Sequence, residues 1–161
     1  MALTQRLAST RDESADEVSS GSDLPVLEDL IGYHTRRAAL HIIARFHEDL
    51  KSLALRPVTF SVLTVVGNQP GITAREVCDV LGIQPPNLVG IVNDLRHRGW
   101  LDRQPHPTDG RALGLHLTAA GQSQLSKAQD LAIESDQQVC GHLSANERDT
   151  LVRLLKKIRN P

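Results

Sequence analysis

Apolar residues recur along most of this chain at three- and four-residue steps, the spacing that lines one face of a helix. From Leu24 to about Leu53, Leu27, Leu30, Ile31, Ala38 and Ile42 form one such stripe, and Ala39, Ile43, Phe46, Leu50 and Leu53 form a second. The pattern predicts one long helix with two buried faces. At roughly 45 Å it would be longer than a small domain needs, so one face is expected to meet another chain. Pro57 suits the first turn of a second helix running to about Val66, broken at Asn68-Gln69-Pro70-Gly71.

Thr73-Ala74-Arg75-Glu76 has capping-box spacing and opens a short helix with Val77, Val80 and Leu81 inward and Gly82 as its left-handed stop. Pro85-Pro86 then opens a helix striped by Leu88, Ile91, Val92 and Leu95 and closed by Gly99. A residue before proline is disfavoured in the helical region, so Pro85 is expected to be the cap and Pro86 the first helical residue. Two helices joined by a tight turn read as a helix-turn-helix. Trp100-Leu101-Asp102-Arg103 and Ala112 to Leu117 read as two strands around the loop 104–111, a wing directly after the recognition helix. Thr118 caps a helix to about Gly141, with Leu125, Ala128, Leu131, Ala132 and Val139 as its apolar positions. Ser144-Ala145-Asn146-Glu147 is a second capping box, ahead of a stripe of Leu151, Leu154, Leu155 and Ile158. The fold class expected is mainly α with a small β-hairpin wing.

Composition narrows the function. The 161 residues suit one domain, with ordinary apolar and charged content. Net charge is −1, but residues 1–23 hold two basic and five acidic groups, leaving the rest at +2. That Ser- and acid-rich tail carries too little apolar surface to order and is expected to be disordered. No apolar run reaches the length of a membrane span and Met1–Thr10 lacks signal-peptide character, so a cytoplasmic protein is expected.

Cys78 and Cys140 form no ligand spacing, and His97, His106, His116 and His142 form no HxxxH or HExxH element, so neither a metal nor another cofactor is expected. A GxSxG elbow, a P-loop and a GxGxxG turn are all absent, which argues against an enzyme. Four aromatic residues, Tyr33, Phe46, Phe60 and Trp100, are too few for single-strand binding by base stacking.

Double-stranded DNA fits better. Asn87, in the first turn of the recognition helix, can donate to and accept from an adenine edge, and Gln84 just before it can bond a phosphate or base. Both also suit simple capping or exposure. Beside Pro86, Val89 and Gly90 offer apolar contact and close approach rather than hydrogen bonds, so specificity is expected to lean on DNA shape. Thr73 and Arg75 begin a helix whose N–H groups can face a phosphate, although Thr73 is first of all a cap. Arg103 at the wing base is expected to contact phosphate, and Arg111 at the wing tip is expected to enter the minor groove, or else to pair with Asp109. Arg96 and Arg98 serve either phosphate or the macrodipole of their own helix end.

From Leu24 to Ile158 the sequence resembles the MarR family of winged-helix regulators. The resemblance rests on Leu81, Ile83, Leu88, Val92, Leu95, Gly99 and Leu101, on Asp109-Gly110-Arg111, and on Leu117-Thr118-Ala119-Ala120-Gly121. Pro86, Val89, Gly90, Asp94 and Gly110 depart from the family's usual residues at positions facing DNA. The resemblance implies an obligate homodimer: residues 24–56 and 118–161 dimerise, and residues 57–117 form the winged helix-turn-helix. Two such lobes would meet a pseudo-palindromic operator, with half-sites about 10 to 10.5 base pairs apart. It also implies an effector pocket between the first helix, the second and the lobe, for which Tyr33, His34, Arg37, His41, Arg45, Phe46 and Phe60 are candidates. Their chemistry suits a small aromatic or amphipathic carboxylate that releases a repressor. The alternative is a winged helix used for protein contacts, without specific DNA binding.

Overall fold

A computed structural model describes residues 25–105 and 113–160; the acidic tail and the loop residues 106–112 lie outside the described residues. In chain order the elements are α1 (Pro25–Glu28), α2 (Ile31–Asp49), a single 3-10 turn (Lys51–Leu53), α3 (Pro57–Asn68), β1 (Ile72–Thr73), α4 (Ala74–Leu81), α5 (Pro85–His97), β2 (Leu101–Pro105), β3 (Leu113–Leu117), α6 (Ala119–Cys140) and α7 (Ala145–Arg159). The architecture is mainly α with a small antiparallel sheet, as expected.

The long first helix is divided. Leu30 takes an extended ψ of 114° and caps α2, while the Glu28 carbonyl orphaned by the break accepts from His34 Nε2 at 2.7 Å. At the other end Leu50 and Leu55 are both buried, and the chain turns between them through Ala54, in the left-handed region at φ 51°. The start of α5 also differs from expectation. Pro85 is its first helical residue and Gln84 the cap, since neither proline needs a hydrogen bond in a turn whose N–H groups are unpaired anyway. Val80 is 56% exposed and Cys78 points inward in its place.

The sheet holds a strand that hydrophobic alternation did not signal: two-residue β1 pairs antiparallel with β3, Ile72 opposite Leu115, giving the order β1-β3-β2. A strand of two residues is too short to alternate. The wing pairs Leu101 with Leu117 and Pro105 with Leu113. The core lies in the lobe built by α3, α4, α5 and the sheet, closed by α6: Val62, Leu63, Val66, Val77, Leu88, Val92, Leu95, Leu101, Leu115 and Leu125 are all buried. Each large aliphatic side chain so buried contributes about 1.5–3 kcal/mol.

Neither α2 nor α7 has a fully buried residue. Helix α2 packs on α6, yet Ile31, Leu40, Ile42 and Ile43 stay 36–69% exposed, so neither of its stripes is wholly covered. On α7, Leu151, Val152, Leu154, Leu155 and Ile158 are 40–60% exposed.

A polar bridge joins α2 to α6. Buried Ser135 hydrogen-bonds Asp49, and this bond first, then Arg45, holds the Asp49 carboxyl below the usual carboxylate range against the opposing effect of desolvation. Arg45 donates to Asp49 at 3.0 Å and to Gln138 at 2.5 Å. Because the folded pKa lies below the unfolded one, the stabilisation is complete above about pH 4 and is lost as pH falls through the folded value. Wild-type protein should therefore lose its stability advantage over Asp49→Asn on acidification. Thermal midpoints of both proteins from about pH 6 to pH 3 check this; a constant difference across that range would refute it.

Candidate nucleic-acid interface

The α4 capping box forms as its spacing predicts. Thr73 Oγ1 accepts from Glu76 N–H at 3.3 Å, and Glu76 Oε2 accepts from Thr73 N–H at 2.8 Å and from its hydroxyl at 2.7 Å. Thr73 is thus engaged as a cap, while Arg75 stands exposed in the first turn. Gly82 closes α4 at φ 63° and ψ 33°, a conformation that carries a cost for any residue with a Cβ.

This tight turn sets α5 against α4, with Leu88, Val92 and Leu95 inward. Gln84 makes no side-chain cap, so its amide is not engaged by the helix. Pro85 and Pro86 remove two N–H groups from the α5 terminus, leaving side chains to supply polar contacts there. Asn87, Val89 and Gly90 are exposed on the following turn, and a Cβ at Gly90 would meet nothing within 4 Å. A groove of about 660 Å³ between α4 and α5 is lined by Arg75, Cys78, Gln84, Pro85, Val89 and Arg103, among others. The fold therefore gathers Arg75 and Gln84 with Arg103, which comes from β2 opposite Leu115. Asn93 is a residue the sequence reading missed. It is exposed and follows Pro86 and Gly90 at helical spacing, the signal by which it was findable. Asp109 and Arg111 lie outside the described residues.

A protein-family model described as the MarR family matches residues 55–112. The multiple antibiotic resistance protein MarR of Escherichia coli K12 is 30% identical over 113 residues, 70% of this chain and 78% of that protein. The chain belongs to the MarR family. The structure of the transcriptional repressor CouR bound to a 23-mer DNA duplex is similar at a TM-score of 0.82, with 32% identity over 88% of this chain and 100% of that one. The Bordetella bronchiseptica regulator BpsR, whose DNA binding is regulated by 6-hydroxynicotinic acid, follows at a TM-score of 0.78, with 25% identity over 83% of this chain and 96% of that one. As a MarR-family member the chain is a DNA-binding transcriptional regulator rather than an enzyme. No described helix is long and apolar enough to cross a membrane. Among the described residues no group of three His, Cys, Asp or Glu side chains is placed to hold a metal ion.

Of the seven pocket candidates, the structure brings two together. Phe46 of α2 and Phe60 of α3 meet with ring centroids 5.4 Å apart and line a cavity of about 950 Å³ whose other walls include Ile42, Ile133, Ser135 and Arg148. Tyr33 and His34 contact each other edge-on at 5.4 Å, a dozen residues earlier on α2. Arg37 and His41 are exposed, and Arg45 faces Asp49 and Gln138; none of these five lines the cavity. The cation that does is Arg148, paired with Asp136. Its distance along the chain from α2 hid it from a reading of helix stripes.

Proposed function

We propose that the protein is a homodimeric, sequence-specific repressor of transcription released by a small aromatic carboxylate. The observation that carries this reading is the gathering of Arg75, Gln84 and Arg103 along one groove of a winged helix, beside exposed Asn87, Val89 and Gly90. In this reading α5 enters the major groove, Asn87 and Gln84 meet base edges or backbone, and Arg103 and Arg75 neutralise phosphates. Arg111, carried by the Asp109-Gly110-Arg111 sequence between β2 and β3, reaches the minor groove. CouR on its DNA duplex supports the mode of binding.

Exposed apolar stripes on α2 and α7 support the dimer, residues 24–56 and 118–161 supplying its interface and residues 57–117 each lobe. The effector would stack on Phe46 and Phe60, its carboxylate taking Arg148 from Asp136. The regulation of BpsR by an aromatic acid supports that chemistry. Release follows when the ligand binds more tightly to a lobe spacing that no longer matches two half-sites.

The test is fluorescence anisotropy with a labelled fragment from upstream of the protein's own gene, against scrambled DNA, at two salt concentrations. Selective, salt-dependent binding is expected. Arg103→Ala should lower the slope of log affinity against log salt by about 1.8 per dimer, one phosphate contact from each lobe. Arg111→Glu should weaken binding at least about tenfold with the dimer intact. Weak binding, equal for both DNAs, would instead favour a protein-contact role for the lobe.

A further inference from the structure

Arg98, the C-cap of α5, does not face the groove. Its Nε lies 2.9 Å from Asp94 Oδ2 one turn back, and its Nη1 donates to the Ala54 carbonyl at 2.9 Å, 44 residues earlier in the chain. The guanidinium also sits over the Trp100 ring, 5.1 Å from its centroid. One side chain therefore touches the end of the recognition helix, the start of the wing and the turn that connects α2 to α3.

That connector is where the lobe meets the rest of the molecule. Its Leu50 and Leu55 are buried in the lobe core, while Asp49, just before it, is bridged by Arg45 to Gln138 of α6. Within the lobe α5 packs on α4 and β2. Core packing therefore sets α5 within the lobe, and the Arg98 to Ala54 bond ties its C-terminal end to the connector itself. Ala54 holds a left-handed conformation, which directs its carbonyl away from the ordinary helical path.

We infer that Arg98 is a positioning residue for operator binding: it fixes the recognition helix relative to the dimerisation helix and does not contact phosphate. The inference rests on the DNA-binding reading above. Only a planar fork can serve Asp94 through one nitrogen and Ala54 through another while stacking on Trp100, so lysine is a poor substitute. A phosphate contact has the opposite signature, because lysine binds phosphate well as a point charge.

Three variants separate the two. Arg98→Ala and Arg98→Lys should each lose about tenfold in operator affinity, with an unchanged salt slope and an intact dimer. Asp94→Ala removes a negative charge from a DNA-binding lobe, yet it should also weaken operator binding, because it loosens Arg98. Trp100 is the only tryptophan in the chain, so its emission reports the guanidinium directly and should change in all three variants without DNA. Near wild-type affinity in Arg98→Lys, a salt slope lowered by about 1.8 in Arg98→Ala, or tighter binding by Asp94→Ala would each overturn the inference. Should wild-type protein select no DNA fragment, the proposed function fails on its own. Emission from Trp100 then decides whether the latch exists, and an unchanged spectrum in Arg98→Ala refutes it.

Discussion

Gly121→Ala is expected to lower the thermal midpoint by about 10 °C, the effect of roughly 3 kcal/mol of overpacking in a chain of this size. A Cβ at Gly121 would lie 1.9 Å from the Trp100 carbonyl oxygen and 2.8 Å from its carbon. Both are backbone atoms fixed by their own bonds, since Trp100 N–H donates to Leu95 and its carbonyl accepts from Thr118 N–H at 3.1 Å. The methyl cannot be accommodated by a rotamer change; α6 must retreat from the base of the wing. Retreat breaks the Thr118 cap, whose Oγ1 accepts from Gly121 N–H at 3.0 Å and donates to the Gly99 carbonyl at 2.6 Å. Gly90→Ala is the control. With open space around its Cβ and a mid-helix position, it should be neutral or up to about 1 kcal/mol stabilising. Thermal melts of both variants check the contrast, and a Gly121→Ala midpoint within a degree or two of wild type would show that α6 is not seated as described.

The same glycine shows what the chain made legible. Leu117-Thr118-Ala119-Ala120-Gly121 was readable as a capped helix start because a hydroxyl three residues before an N–H is a local device. Both capping boxes, at Thr73 and Ser144, formed for that reason. What escaped was whatever depended on a distant partner. β1 exists only because Ile72 finds Leu115. His34 and Arg45 were candidates for one pocket, yet His34 bonds Glu28 while Arg45 finds Gln138, 93 residues away. Helix periodicity tells which residues share a face, not what covers it. The groove between α4 and α5 was more legible, since Arg75 and Gln84 sit at helix starts that local rules locate. Arg103 needed only the hairpin register to reach the same groove.

Replacing Leu151 and Leu155 together by Glu should convert the protein to monomer at micromolar concentration and weaken operator binding by about 10²–10⁴-fold. The two leucines are one turn apart on α7 and 45% and 40% exposed, in line with Leu154 and Ile158. Apolar side chains at helical spacing, on a helix with no fully buried residue, are only partly covered by the described chain. In the homodimer proposed above they pack against the two-fold mate. Four carboxylates per dimer would then be desolvated against apolar surface and one another, a cost that association does not offset. The helix itself should persist, because the Ser144 and Glu147 capping box and the basic last turn of Lys156, Lys157 and Arg159 are untouched. Far-UV circular dichroism should therefore stay near wild type while sedimentation velocity shows half the mass. The affinity loss follows from linkage rather than lost contacts: each lobe keeps its groove, but the second half-site is no longer reached at high effective concentration. A double variant that still sediments as a dimer would remove α7 from the interface. A monomer that binds the operator as tightly as wild type would remove the requirement for two linked lobes.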